Sequence, residues 1–167
     1  MEMLTRISGT ISRISAKLVE IILISMVLVM AILVIMQVLL RYFFSSAFSW
    51  TEEIARYMMI WVSFLGAGLA LRQGLHIGVQ ALVMRLSARK RRWVSITSKI
   101  AVLFFLIVLT LGGFQLAWFV RNQSSPALFL SMSWAYGAAA AGGLFMAIQM
   151  CHLLATDIVL YGSKEEK

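Results

Sequence analysis

Two adjacent acids and an arginine, Glu52, Glu53 and Arg56, stand at the start of a long apolar run, and Arg72, Gly74 and His76 stand at its far end. Paired carboxylates invite acid–base chemistry, but neighbouring helical positions point about 100 degrees apart, so these two acids do not face each other across a substrate. Glu52 and Arg56 are four apart with the acid first, the favourable order for an ion pair on one helical face. Two readings of the cluster stay open: a wet helix start whose acids suit the helix dipole, or a contact to another subunit. At the far end, Arg72 and His76 suit exposed carbonyls or phosphates beside a helix-ending Gly74, or a polar contact to a partner. Metal chemistry lacks donors, because His76 and His152 are the only histidines, Cys151 is the lone cysteine, and no ligand spacing joins the two regions. No phosphate-cradling G-x-x-x-x-G-K-S/T motif occurs, and the residues imply neither an enzyme nor a cofactor in this chain.

The elements that must position these groups are set by composition. At 167 residues, 61% hydrophobic and 13% charged, with mean hydropathy +0.89, the chain is too apolar for a water-soluble domain of its size. Four stretches qualify as spanning helices, at about 20–40, 50–71, 100–120 and 132–155, so the expected fold is an all-α integral membrane protein with a single membrane domain over 1–167. Ile21 to Leu40 contains no formal charge, and twenty helical residues cover roughly the 30 Å of a hydrocarbon core. The second span is expected to start in a capping box, Ser49 with Glu52. Along it Trp50, Ile54, Tyr57, Trp61 and Leu65 share one stripe, which suits either an aromatic belt facing lipid or a ridge gripped by a partner. The third span is expected to be interrupted by Gly112 and Gly113, and the fourth has a small-residue centre, "YGAAAAGG", suited to close helix packing. Gln37, Gln115 and Gln149 sit inside apolar runs and are expected to pair across helices.

Between the second and third spans, Ile77, Leu82, Val83 and Leu86 suit a short amphipathic segment in the interface, with Arg85, Arg89, Lys90, Arg91 and Arg92 facing lipid phosphates. The net charge of +8 therefore points to membrane lipid and topology, not to nucleic acid. Twelve of the fifteen basic residues fall on one side of the four spans, leaving Arg41, Arg56 and Arg121 on the other. That bias predicts both termini in the cytoplasm. The amino-terminal run is too long and lacks the cleavage site of a signal peptide, and it reads as a retained anchor. No acid or base lies in the central part of any span, where a self-sufficient ion-coupled carrier would be expected to show one. A stand-alone homo-oligomeric carrier or channel is the alternative reading, and a haem-bearing membrane anchor a more distant one.

From "RYFF" through "FSWTEEIARYMMIWVSFLGAGLALRQGLHIGV" the chain resembles the small permease subunit, DctQ-like, of tripartite ATP-independent periplasmic (TRAP) transporters. The resemblance rests on an aromatic and acidic start to the second helix, a W-x-x-F-L-G-A centre and an R-x-G-x-H end. Here these are Trp50, Glu52, Glu53, Arg56 and Tyr57; Trp61, Phe64, Leu65, Gly66 and Ala67; and Arg72, Gly74 and His76. It covers about residues 17 to 157, with its specific motifs between 41 and 79. What the resemblance implies is a bacterial inner-membrane subunit without catalytic groups. Its partners would be a large membrane subunit that carries the transport path and sodium sites, and a periplasmic solute-binding protein that captures an organic acid.

Overall fold

A computed structural model of the chain describes residues 2–44, 48–72 and 87–162. It contains four helices: α1 Glu2–Phe44, α2 Ser49–Arg72, α3 Ala88–Phe119 and α4 Ser133–Gly162. Each is long and apolar enough to cross a membrane, so the architecture is all-α with four spans. The expected amphipathic connection, with Gly74, His76 and Arg85, lies outside the described residues.

Three local features depart from the sequence reading. First, the helix that contains the expected 20–40 span is longer than that span: α1 runs unbroken from Glu2, a length of about 64 Å at 1.5 Å per residue. The mixed residues at its start are a packing face: Ser12, Ala16 and Val19 are buried, while Arg13, Lys17 and Glu20 are exposed on the other side. Second, Gly112 and Gly113 do not interrupt α3. A Cβ at Gly113 would come within 2.7 Å of the Ala140 backbone nitrogen, so the missing side chain lets α4 approach the α3 backbone. Third, no capping box forms at α2. Ser49 is already helical, no hydrogen bond joins it to Glu52 among the described residues, and Thr51 instead donates its hydroxyl to the Phe48 carbonyl at 2.7 Å.

α4 is the hub. It packs on each of the other three helices and α1 also packs on α2, whereas among the described residues the α3 backbone comes close only to α4 and reaches α2 through side chains of a shared core. The small-residue centre of α4 makes this geometry possible. Ala138 is wholly buried, and a Cβ at Gly142 would collide with the Phe64 side chain at 2.6 Å and its backbone at 3.0 Å. Two apolar cores follow from this arrangement. One gathers Leu71, Leu106, Met146, Met150 and Leu154 between α2, α3 and α4, and the other gathers Ala16, Val19, Leu65 and Phe145 between α1, α2 and α4. Farther along α1, Leu23, Met26, Met30, Leu33, Gln37 and Leu40 recur at alternating spacings of three and four and are half-buried, the period of a narrow helix–helix seam. Thus the first half of α1 packs on α4 and α2 together, and its second half comes within reach of the start of α2 at Gln37.

Polar side chains fasten the helices where the cores end. Gln149, fully buried, accepts a hydrogen bond from the Ser12 hydroxyl at 2.5 Å and donates to the Ser12 carbonyl at 3.3 Å and to Ser15 at 3.1 Å. Ser8 meets His152 one turn further on, at 3.3 Å. At the same end Lys99 donates to Asp157 at 2.5 Å, with Ser95 joining at 3.2 Å, tying α3 to α4. The Thr51 hydroxyl proton goes to the Phe48 carbonyl, so the Gln37 side chain 3.5 Å away is a contact and not an acceptor of that proton, and Gln115 is exposed.

Candidate subunit-contact site

The end of the bundle where α2 and α4 begin holds most of the residues singled out by their chemistry. Glu53 sits in the first turns of α2, and its side chain turns inward and is only 7% exposed. Burying a carboxylate is unfavourable unless donors replace its water, and here three do. The Tyr57 hydroxyl, four residues on, donates at 2.5 Å to one oxygen; the amides of Ala127 and Leu128 donate at 2.8 and 3.1 Å to the other. Because the single phenolic proton goes to Glu53, the Met132 sulfur 3.4 Å from the Tyr57 oxygen is a contact and not a second acceptor of that proton. Ser125 Oγ is buried beside this pair without completing a well-aligned hydrogen bond.

The two amides belong to the connection between α3 and α4, which folds as a small hairpin. Ser124 and Ser131 pair antiparallel, the Ser125 amide donates to the Leu130 carbonyl at 2.8 Å, and the Met132 amide donates to the Gln123 carbonyl at 2.9 Å. Ser131 donates to the Arg121 carbonyl at 2.7 Å, and Ser133 donates to the Ala117 carbonyl. Glu53 therefore bolts the tip of this hairpin to α2. With its lone pairs committed to fixed donors it is a structural anion, badly placed to accept a substrate proton.

Outside this bolt lies an open cleft of about 550 Å³, lined by Glu52, Arg56, Tyr57, Ile60, Met132 and Tyr136 among others. Glu52 and Arg56 do pair, but at 3.5 Å and with both side chains about 60% exposed, a geometry worth little to stability. Their charges remain free to meet a neighbour. The stripe below them turns into the chain's own packing: Trp61 donates its indole N–H to the Trp134 carbonyl at 2.8 Å and packs against the core that buries Leu65, while Trp50 stays exposed at the rim.

At the opposite end Arg72 closes α2 and is exposed. Arg89, Lys90, Arg91 and Arg92 fall in the first turns of α3, and Lys90 is exposed. Basic groups at a helix N-terminus oppose the dipole, so this cluster favours nearby anions. Among the described residues no group of three or more His, Cys, Asp or Glu side chains is arranged to hold a metal ion.

Sequence reasoning found Glu52, Arg56 and Tyr57 but not the bond of Glu53 to the hairpin, whose donors are backbone amides 74 and 75 positions away. It also missed Ser12 and Ser15 as partners of Gln149, although Ser8, Ser12 and Ser15 at spacings of four and three were a readable helical face.

Four helices long and apolar enough to cross a membrane, with their charges gathered at the helix ends, define a multi-pass membrane protein. The model of the family "tripartite ATP-independent periplasmic transporters, DctQ component" matches residues 30–159, and the chain belongs to that family. It is 32% identical over 146 residues to a TRAP transporter small permease protein of Haemophilus influenzae, covering 87% of this chain and 91% of the relative. Over 99 residues it is 34% identical to the C4-dicarboxylate TRAP transporter small permease protein DctQ of Rhodobacter capsulatus (58% of this chain, 44% of the relative). Over 104 residues it is 35% identical to the ectoine TRAP transporter small permease protein TeaB of Halomonas elongata (60% and 54%).

Proposed function

We propose that this small permease subunit is the fixed, non-transporting member of a sodium-driven TRAP transporter that imports an organic acid across the bacterial inner membrane. In this reading it stabilises and orients the large transport subunit, which carries the sodium sites, and the cleft rim at Glu52 and Arg56 helps dock the periplasmic binding protein. Both termini face the cytoplasm, and the basic start of α3 holds that end at the anionic headgroups.

The observation that supports this reading best is how little polar capacity the spans leave for a solute. Ser25, Ser63 and Thr110 each donate to a carbonyl of their own helix at 2.7 to 2.8 Å, and Gln149 is taken up by α1. A transport path would need unengaged ligands near the midplane. C4-dicarboxylate and ectoine are the solutes of the Rhodobacter capsulatus and Halomonas elongata relatives; the organic acid proposed for this chain is what the family resemblance implies.

The test is uptake in proteoliposomes. The large subunit with this chain and the binding protein should import solute on a sodium gradient, and omitting this chain should abolish import. Import by this chain alone would overturn the reading. Glu52→Gln and Arg56→Gln, singly and together, should leave the complex of the two membrane subunits intact while weakening capture of the binding protein.

A further inference from the structure

The hairpin between α3 and α4 shows one residue that ordinary loop physics does not explain. Phe129 has φ 55, in the left-handed region that a bulky side chain rarely adopts, and its ring is 80% exposed. Backbone strain and an exposed aromatic ring are both unfavourable in water, and such strain persists only where the surroundings hold it. Three observations say what surrounds it. The amides of Ala127 and Leu128 are tied to Glu53 in the first turns of α2, and Pro126 and Ala127 line the same cleft as Ile60, further down that helix. The tip is therefore folded back to the level of the helix ends instead of standing up in solvent. At that level the exposed groups form a belt: Trp118, Phe119 and Trp134, with the Arg121 guanidinium 4.0 Å over the Trp118 ring. Finally, the hairpin is prepared to leave water. Residues 122–132 carry no charge, and the amides of Gln123, Ser125, Ala127, Leu128, Phe129 and Met132 all donate within the chain. An irregular segment can enter a low-dielectric layer only where its backbone is satisfied, and the three successive amides leading into the tip, Ala127 to Phe129, meet that condition.

We infer that the Phe129 tip is a lipid-seated wedge, inserted at the boundary between headgroups and acyl chains of the leaflet at the Glu53 end, with Glu53 as the bolt that holds it there. The partner is phospholipid. An aromatic ring at this depth keeps its apolar body out of water, and Arg121 beside it meets the lipid phosphates.

Cys151, the single cysteine, makes the test direct. In a Cys151→Ser background, Phe129→Cys is labelled with a nitroxide and the full-length chain is placed in nanodiscs of phosphatidylethanolamine and phosphatidylglycerol. Collisions with dissolved oxygen should exceed those with a water-soluble nickel chelate severalfold at position 129, and the order should reverse for Asn122→Cys. Leu130→Cys, with Phe129 intact, should give the lipid-like answer as well, so the result does not depend on removing the ring. Glu53→Gln should move the ratio at 129 toward the value at 122. Preferential collision with the nickel chelate at both 129 and 130 would overturn the inference by putting the tip in water. Exclusion of both reagents only after the large subunit is added to the labelled chain would overturn it in favour of a protein contact.

Discussion

α1 and α4 invert the rule that governs soluble proteins. The best eighteen-residue window of α1 has a mean hydropathy of 3.1 and none of it is buried, whereas that of α4 has 1.6 and 39% is buried. In water the more apolar helix would occupy the core. In lipid, the tails are as apolar as leucine, so hydrophobicity gives no reason to leave them; close packing and hydrogen bonds decide which helix goes inside. α4 wins the centre because alanine and glycine let the α2 and α3 backbones approach it and because Gln149 has partners on α1. α1 wins the surface because its bulky branched side chains lose nothing against acyl chains.

The comparison can be broken most forcefully at its small residues. Gly113→Leu should destabilise the α3–α4 contact by about 3 kcal/mol, read by unfolding in mixed detergent micelles. The matched Gly112→Leu, at a site with nothing within 4 Å of the added atom, should change stability by under about 0.5 kcal/mol. Equal effects at the two glycines would mean that α3 and α4 do not meet on this face. Next, Gln149→Leu should cost about 1 kcal/mol, the size of interhelical hydrogen bonds in membranes, and should loosen the first half of α1; protease access near Ser12 is the second readout. Asp157→Asn strands a Lys99 side chain that is 24% exposed. Since solvent reaches that pair, the loss should stay below about 1 kcal/mol and shrink in high salt. Smallest of all, Leu28→Ala on the outer face of α1 should fall within about 0.5 kcal/mol of the parent, although the same truncation in a soluble core would cost 2–5 kcal/mol by the usual range.

Much of this architecture was written in the runs of apolar residues, because a bilayer demands length and hydropathy from every span and both can be read without knowing any contact. The small centre of α4 was legible for the same reason: "YGAAAAGG" can serve little else in lipid. The first half of α1 was not. Its serines, isoleucines and charges have the mixed look of a loop until α4 supplies the face that Ser12, Ala16 and Val19 bury. Glu53 was legible as a polar group at a helix start, but its partners are amides, which no side-chain pattern announces. Phe129 could not be picked out at all, since its unusual backbone depends on a hairpin whose register is set by long-range bonds.

The placement of α4 at the hub has a consequence for biosynthesis. Of the four helices it is translated last, so the other three are handed to the bilayer before the surface they share exists. α1 and α2 can pair at once, but α3 must wait as a solitary rod until its neighbour emerges from the ribosome. A nascent chain halted before residue 133 should therefore be found as a pair and an orphan, open to quality-control proteases, and the subunit becomes a single object only with its closing helix.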